Sequence, residues 1–342
     1  MKIGILTLHR SINPGAFFQA YCLQQHLAQE GHDVYIIDYC STKNSLNQLR
    51  AILLKKNPIK AINNAKKYFS LRKSIKSKFN LLNPNKVKKL DVIIVGSDIV
   101  WDFKNHFFGF DANYFGDELF NNIGHISYAA SCGSRSYNDF PEKVVRLIKN
   151  NFSAISVRDM NTFNLVKKRV KSKADIVLDP TLIYDLSCEA PKEKIGRKYI
   201  LIYAFISDAQ AKQIKEFSKK NDLKIISVGY HNSFSDRNEI GIDPFKWLAY
   251  FRDAEYVITS TFHGVLFSIN FKKRFCYLKA PETDIKLLTT LNQLGLNDRI
   301  ASNEEGIFQV LSKDINYNLV TKKLKLQIDL SKKWIKNALL TF

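Results

Sequence analysis

Hydroxyl side chains, a histidine and a glycine stand together in the stretch from Tyr256 to Ile269. They are Thr259, Ser260, Thr261, His263 and Gly264. Hydroxyl groups and backbone N–H groups bind anions, and a histidine exchanges a proton readily near neutral pH. This combination predicts a site that binds an anionic substrate and transfers a proton, with His263 as the general acid and base.

The apolar residues around these groups predict the elements that position them. Residues 256–258 predict a short buried strand, and the apolar run after Gly264 predicts the first turns of a helix. A turn between a parallel strand and a helix is where open α/β sheets bind ligands, because the N–H groups of the helix N-terminus point into the crevice. The alternative is a helix capped by Ser260 or Thr261, with His263 as a bystander.

Strands and helices alternate along the rest of the chain. Its 342 residues are many for a single core, and two successive blocks of alternating elements predict an α/β protein with two Rossmann-like domains facing across a cleft. The polar stretch 186–198 is the candidate linker, which predicts domains over 1–190 and 191–342. Residues 317–340 predict a C-terminal helix. We expect the acceptor on the first domain and the donor on the second, which carries His263.

Polar residues also follow the predicted strands of the first domain. Asn13 and Gly15 lie in the loop after the first strand, and Ser97 and Asp98 follow an apolar strand and can bind sugar hydroxyls or cap the next element. A dinucleotide fingerprint, Gly-x-Gly-x-x-Gly, is missing from the sequence. The aromatic segment 101–120 predicts an irregular loop over a binding face.

Two basic residues follow predicted strands. Arg158 comes after the strand over 154–157, where its planar guanidinium can bind a carboxylate or phosphate through two hydrogen bonds. The alternative for Arg158 is an ion pair with Asp159 or Asp179 that stabilises the domain. Lys279 follows the strand over 274–278 and is a second candidate ligand for an anion.

Composition sets the class of protein and its expected location. An apolar content of 45% with 12% aromatic residues predicts a soluble globular protein, and no apolar run reaches the about 18 residues of a membrane-spanning helix. The N-terminus reads as a first strand and not as a signal peptide. The five cysteines are scattered, which predicts reduced thiols in the cytoplasm and no zinc site. We expect no metal and no cofactor.

The formal net charge of +20 favours anionic partners. Fourteen Lys and Arg residues lie between Tyr39 and Leu90, and this stretch contains no Asp or Glu. Apolar residues recur in it at helical spacing, so residues 41–90 predict a basic amphipathic insertion that binds an anionic membrane surface or a diphosphate head group. The alternative is a solvated helical hairpin packed on the domain core. Nucleic acid is not an expected partner, since no nucleic-acid-binding motif is present.

Five short motifs together resemble a known family, the polysaccharide pyruvyl transferases. In chain order they are Asn13-Pro-Gly-Ala-x-x-Gln-Ala-Tyr, Gly96-Ser-Asp, Ser156-Val-Arg-Asp, Asp179-Pro-Thr and Thr259-Ser-Thr-Phe-His-Gly. The resemblance covers most of the chain but not the basic insertion. It implies a fold of the glycosyltransferase-B kind and transfer of a pyruvyl group from phosphoenolpyruvate to a sugar as a ketal. It also implies that His263 is the proton donor and that Arg158 binds the anionic groups of the donor.

The chain departs from the family pattern at two places. Founding members carry an arginine two residues before the histidine, where this chain has Thr261, although the branch with Phe-His-Gly often lacks that arginine. A second family arginine, near the start of the helix after the last strand, is missing, and Asp284 and Lys286 lie in that neighbourhood. Arg158, Arg274 and Lys279 are the candidate replacements.

The leading hypothesis is therefore a transferase that acts in the cytoplasm, free or peripherally attached to the inner face of the membrane. Its expected partners are phosphoenolpyruvate and a sugar or lipid-linked oligosaccharide of a surface polysaccharide. A glycosyltransferase that uses a nucleotide-sugar is the second hypothesis. A non-catalytic module that binds glycans or membranes is the third.

Overall fold

The computed structural model describes residues 1–53, 58–105, 109–192, 195–196, 198–301 and 306–342. Its Cα positions separate into two compact units. The first consists of Met1–Ala61, Arg72–Tyr184 and Lys325–Phe342, and the second of Ile62–Leu71 and Asp185–Leu324. The main division between the two units thus falls after Tyr184 and not after residue 190. In addition, the first unit includes the C-terminal segment Lys325–Phe342, and the second unit includes Ile62–Leu71 from the N-terminal half of the chain.

The first unit is built on a seven-stranded sheet in which all neighbouring strands are parallel. Its strands are β1 (Lys2–Leu6), β2 (Asp33–Ile37), β3 (Leu81–Leu82), β4 (Val92–Val95), β5 (Gly124–Ala130), β6 (Phe152–Val157) and β7 (Asp175–Ile176). The helices of this part of the chain are α1 (Pro14–Gln29), α2 (Thr42–Leu53), α3 (Pro58–Lys78), α4 (Glu142–Asn151), α5 (Met160–Asn164) and α6 (Pro180–Ile183). Across the sheet the order is β3-β2-β1-β4-β5-β6-β7.

The second unit repeats this design with six parallel strands in the order β10-β9-β8-β11-β12-β13. Its strands are β8 (Tyr199–Tyr203), β9 (Lys224–Val228), β10 (Arg237–Glu239), β11 (Tyr256–Thr259), β12 (Arg274–Leu278) and β13 (Ile300–Ala301). The helices that follow are α7 (Asp208–Lys220), α8 (Pro244–Asp253), α9 (Phe262–Asn270), α10 (Pro281–Leu294), α11 (Gly306–Ser312) and α12 (Tyr317–Leu339). These sheets confirm the predicted pair of Rossmann-like folds.

The strand order creates one switch point in each sheet. In the first sheet the chain leaves β1 toward β2 and β3, and then returns to add β4 on the other side of β1. In the second sheet β8 and β11 stand in the same relation. Connections on the two sides of a switch point diverge, so a crevice opens at the carboxyl ends of these strands, and ligands of open α/β sheets bind there.

Of the aromatic segment 101–120 the structure describes 101–105 and 109–120, which form short turns, in agreement with the predicted irregular loop. Several of its aromatic side chains, however, belong to the core and not to an exposed binding face. Trp101, Tyr114, Phe115 and Phe120 are buried in the apolar cluster of the first unit. The indole N–H of Trp101 donates to the Tyr114 carbonyl over 3.0 Å. The described part of the segment lacks hydrophobic periodicity because it forms short turns, yet burial of these four rings adds to the core.

The C-terminal helix α12 is present as predicted, and its second half belongs to the first unit. The Ser331 hydroxyl oxygen accepts the Leu178 N–H over 3.0 Å, and the indole N–H of Trp334 donates to Asp175 over 2.9 Å. Ile335 on the same helix is buried. These contacts near β7 explain why the sequence-based boundary, which assigned the whole tail to the second domain, differs from the structure.

Burial of His125 on β5 gives a testable dependence of stability on pH. Desolvation lowers the pKa of this imidazole from its ordinary 6.5 to about 4. Within the described part of the chain, its Nε2 has no hydrogen-bond partner. Between these two pKa values the unfolded chain binds a proton that the folded chain does not, so stability falls as the pH falls.

We expect the free energy of unfolding to include a His125 contribution that falls by about 2 kcal/mol between pH 7 and pH 5. Urea unfolding at both pH values, for the unmodified protein and for His125→Phe, measures it. In the variant this decrease of about 2 kcal/mol should be missing, because phenylalanine fills the site with an aromatic ring that does not titrate. An identical pH dependence in both proteins would contradict the assignment.

Candidate functional site

The turn after β11 is a closed set of hydrogen bonds. The Thr259 hydroxyl donates to the Tyr203 carbonyl at the end of β8 over 3.0 Å and accepts the Thr261 N–H over 3.1 Å. The Thr261 hydroxyl oxygen accepts the Gly264 N–H over 3.0 Å, which makes Thr261 the N-cap of α9. Ser260 lies between these threonines and is partly exposed. Thr259 therefore ties the two strands of the switch point together.

Gly264 is required by the close approach of this turn. A Cβ at residue 264 would lie 2.1 Å from Thr259 Oγ1 and 2.7 Å from Thr261 Oγ1. No side chain fits at those distances, so glycine lets the helix begin directly against the threonine hydroxyls. This packing accounts for Gly264 without a contact to substrate, and substrate binding by its backbone stays a prediction.

His263 is the second residue of α9 and is 6% exposed. Its ring is held between two phenylalanines: Phe262 is perpendicular to it at 5.2 Å between ring centroids, and Phe267 stacks on it at 6.2 Å. The predicted strand, turn and helix are confirmed, as is a threonine cap. The cap and a catalytic His263 do not exclude each other, because the cap uses Thr261 and leaves the imidazole in the first turn, near the switch point.

Lys279 lies at the same edge of the sheet. Thr259 on β11 and Tyr277 on β12 are register partners. Thr261 and Lys279 each follow by two residues, so both come directly after the carboxyl ends of neighbouring strands. Its side chain is exposed. An exposed ammonium at the carboxyl edge beside the N-terminus of α9 is well placed to attract an anion.

Arg274 lies at the opposite edge, which contradicts its prediction as a replacement for a family arginine. It is the first residue of β12, so the length of the strand, roughly 13 Å, separates it from Leu278 at the carboxyl end. Its guanidinium donates to the Tyr256 hydroxyl over 3.2 Å and pairs with Asp314.

Asp284, in the neighbourhood where the resemblance leads us to expect the second family arginine, has a structural role. Its Oδ1 accepts the Tyr277 hydroxyl over 2.7 Å and the Ala280 N–H over 3.1 Å. Burial, and next the hydrogen bond to the Asp284 carboxylate, raise the pKa of Tyr277 well above its usual range. Asp284 thus fixes the start of α10 against β12.

The first unit has a corresponding bridge at its own switch point. The Thr7 hydroxyl, just after β1, donates to the Ser97 carbonyl, just after β4, over 2.9 Å. Ser97 is buried, and its hydroxyl donates to Asp179 Oδ2 over 3.1 Å. Gly96 before it has a φ of 119°, and a Cβ there would lie 2.3 Å from the Tyr128 carbonyl oxygen. Direct binding of substrate by Ser97 stays a prediction.

Arg158 joins three of the predicted motifs into one buried cluster. Its Nη1 donates to Asp179 Oδ2 over 3.0 Å and its Nη2 to Asp98 Oδ1 over 3.3 Å. The exposed fractions of the Arg158 and Asp179 side chains are 2% and 1%. Asp159 instead accepts the Ser131 hydroxyl and caps α5. The sequence offered Asp159 and Asp179 as partners for a structural ion pair of Arg158. The ion pair with Asp179 is present, whereas Asp159 forms its hydrogen bonds with other groups.

Asn13 and Gly15 lie at the start of α1. The Asn13 Oδ1 atom accepts the Gly15 N–H over 2.9 Å, so Asn13 is the N-cap of this helix. The pair places the N-terminus of α1 after β1, at the switch point of the first sheet. A ligand there would meet backbone N–H groups, and this role of Asn13 and Gly15 stays a prediction.

Sequence reasoning missed a cluster around Asp38, the first residue after β2. His9 Nε2 lies 3.0 Å from Asp38 Oδ1, and Arg10 Nε donates to the same oxygen over 2.8 Å. The hydrogen bond to His9, followed by that to Arg10, holds the pKa of Asp38 well below its usual range despite partial burial. The sequence did contain a signal for this cluster: His9 and Arg10 follow β1, Asp38 follows β2, and these two strands are parallel neighbours.

Two solved structures show the class of fold to which the chain belongs. MnaA from S. aureus, in a co-structure with UDP, is 13% identical, with 94% of this chain and 90% of that chain covered and a TM-score of 0.51. UDP-GlcNAc 2-epimerase from Methanocaldococcus jannaschii is 14% identical, with 92% and 93% covered and a TM-score of 0.50. At these identities the likeness concerns the fold alone. The fold is α/β of the glycosyltransferase-B kind, with two parallel sheets and a C-terminal helix.

The sequence profile of the family described as polysaccharide pyruvyl transferase matches residues 13–279, which is more than half of the chain. The protein belongs to this family. The family resemblance predicted from the five motifs is therefore confirmed. No curated protein matches the chain in sequence.

Proposed function

We propose that the protein transfers a pyruvyl group from phosphoenolpyruvate to a sugar of a surface polysaccharide, or of its lipid-linked precursor, as a ketal. One observation carries the proposal within this family: His263 lies in the first turn of α9 at the switch point of the second sheet. Lys279 at the same edge supports binding of the anionic donor by this unit. The acceptor would bind the first unit, at the N-terminus of α1.

The chemistry requires one proton to be given and others to be removed. A sugar hydroxyl forms a bond from its oxygen to C2 of phosphoenolpyruvate, while C3 takes a proton and becomes a methyl group. Positive charge develops at C2 as C3 is protonated. A second hydroxyl then bonds to C2 and the phosphate leaves, so that C2 carries two sugar oxygens. A histidine gives the proton to C3 and accepts one from an attacking hydroxyl.

The test of this proposal is donor identity. Purified protein is incubated with phosphoenolpyruvate and a panel of sugars, sugar phosphates and lipid-linked sugars, and released phosphate and the product mass are followed. The expected result is acceptor-dependent phosphate release with a mass gain of one ketal-linked pyruvyl group. Transfer from a nucleotide-sugar, with phosphoenolpyruvate left intact, would show a glycosyltransferase instead. Ligand binding without any transfer would indicate the non-catalytic module.

We also propose that α3, in the basic insertion, binds an anionic bilayer surface. Ile62 and Phe69 are 56% and 69% exposed, and Lys66 and Lys73 are exposed as well. Their spacing places these four side chains on one face of the helix. Leu71 and Ile75 on the same helix are buried, so the core-packing alternative applies to the opposite face. Among the helices of the described ranges, none could cross a membrane.

We expect the protein to sediment with vesicles containing anionic lipid, and far less with neutral vesicles or at high salt. Two lysines near such a surface contribute about 2 kcal/mol, so Lys66→Gln with Lys73→Gln should lower the partition coefficient roughly 30-fold. The control pair Lys212→Gln with Lys219→Gln removes the same charge from the exposed face of α7. Equal losses for the two pairs would mean that net charge alone, and not α3, binds the vesicles.

A further inference from the structure

Phe205 presents an aromatic ring to solvent at the carboxyl edge of the second sheet. It follows Tyr203, the last residue of β8, by two residues and is 71% exposed. Tyr203 is the register partner of Thr259, so Phe205 emerges from the strand next to the turn that leads to His263. Single exposed apolar residues are common on protein surfaces, and this one matters because of what lies around it.

Tyr230 holds the Phe205 ring from the adjacent strand. It follows β9 by two residues, and its ring meets Phe205 edge to face with 4.6 Å between centroids. Gly229 before it has a φ of 72°, and a Cβ there would lie 3.0 Å from the Tyr203 ring. Tyr203 also contacts Tyr230, at 5.3 Å. Two aromatic side chains from neighbouring strands thus form a supported platform at the edge of the sheet.

A cation lies beside this platform. The Nζ atom of Lys67 on α3 is 5.4 Å from the centroid of the Tyr230 ring. The helix is held close by Gly241, where a Cβ would lie 2.5 Å from the Lys66 Cβ and 2.9 Å from the Lys67 N. Burial lowers the pKa of Lys67. Lys66, its neighbour, is exposed, whereas burial has removed part of the water around the Lys67 ammonium. A bound anion would compensate for this lost hydration.

A continuous series of ring contacts connects the platform with His263. His263 stacks on Phe267, and Phe267 meets Trp247 at 4.9 Å. Trp247 meets Tyr203 at 5.0 Å, and Tyr203 meets Tyr230. All of these residues belong to the second unit. The predicted proton donor and the exposed ring are therefore parts of one packed aromatic layer.

We propose that Phe205, Tyr230 and Lys67 form a subsite for a glycosyl phosphate, the sugar ring lying on Phe205 and its phosphate on Lys67. The C–H groups on one face of a pyranose carry partial positive charge and are attracted to the negative face of an aromatic ring. An ammonium next to that ring selects a sugar that carries an adjacent anion. That this sugar is a substrate of pyruvyl transfer rests on the proposed function, whereas the subsite itself consists of residues of the second unit alone.

The test is direct binding, which does not depend on turnover. Hexose 1-phosphates of several configurations, the free hexoses, UDP and inorganic phosphate are titrated by ligand-observed NMR. Phe205→Ala is expected to weaken hexose 1-phosphate and hexose alike by roughly 5- to 10-fold, and Phe205→Trp to retain both. Lys67→Gln is expected to weaken hexose 1-phosphate by about 10-fold and to leave the free hexose unchanged.

Matched controls come from α3. Phe69→Ala removes an equally exposed ring, and Lys66→Gln removes the neighbouring charge, and both should bind the probes as the unmodified protein does. Any of four results would overturn the subsite: unchanged binding in Phe205→Ala, an equal loss of binding in the controls, a loss confined to UDP, or no binding of any hexose 1-phosphate. Specific loss of hexose 1-phosphate binding in a protein that does not use phosphoenolpyruvate would support the subsite while the proposed function fails.

Discussion

Replacing His263 with alanine is expected to lower turnover by about 10²- to 10⁴-fold while donor and acceptor binding are largely kept. The side chain occupies the first turn of α9, and the rings of Phe262 and Phe267 limit its orientations. No other histidine stands in the Thr259-to-Gly264 turn that could take over proton transfer. Steady-state kinetics of pyruvyl transfer, with KM for both substrates, measures the effect.

Two further variants separate chemistry from packing at this position. His263→Gln keeps a polar side chain of similar length without an imidazole and should be impaired as severely as alanine. His32→Ala, in the first unit, should be as active as the unmodified protein. Thermal unfolding of each variant shows whether the fold is intact. Near-normal turnover of a folded His263→Ala protein would assign His263 a structural role only.

The second large effect is expected from the ion pair between Arg158 and Asp179. Both side chains are almost completely buried, and removing one partner of a buried pair leaves the other charge without compensation. Asp179→Asn should therefore lower the free energy of unfolding by about 3–5 kcal/mol. Asparagine keeps an oxygen for the Thr181 N–H that caps α6, so the loss reports the charge and not the cap. Urea unfolding measures it.

Arg158→Lys tests whether the same arginine also binds the donor, as the family resemblance implies. An ammonium cannot reach both Asp179 and Asp98 with the geometry of a planar guanidinium, but it keeps the compensating positive charge, so a stability loss smaller than that of Asp179→Asn is expected. If Arg158 is also a ligand of phosphoenolpyruvate, the KM for this donor should rise further in Arg158→Lys than in Asp179→Asn. Equal KM values in the two variants would limit Arg158 to the ion pair.

Local sequence was sufficient to predict the elements and the turn that carries His263. The run Val92–Val95 is apolar at every position because a central parallel strand is covered on both faces, and β11 has the same character up to Thr259. The hydroxyls, His263 and Gly264 follow within five residues, so the strand, the turn and the helix cap are determined by contacts between near neighbours. Such contacts can be anticipated from residue types and spacing.

Tertiary structure decided the contacts between residues that are distant in the chain. Arg158 has Asp179 and Asp98 as its partners, 21 and 60 residues away, and Lys67 lies over Tyr230. Residue types predict that a buried charge will be paired, but strand order selects the partner, because the carboxyl ends of parallel strands meet at one edge. The sequence by itself therefore determined the family, the elements and the position of His263. Only the packed sheets determined that Arg158 is paired with Asp179 and that Phe205 and Lys67 share one edge with the His263 turn.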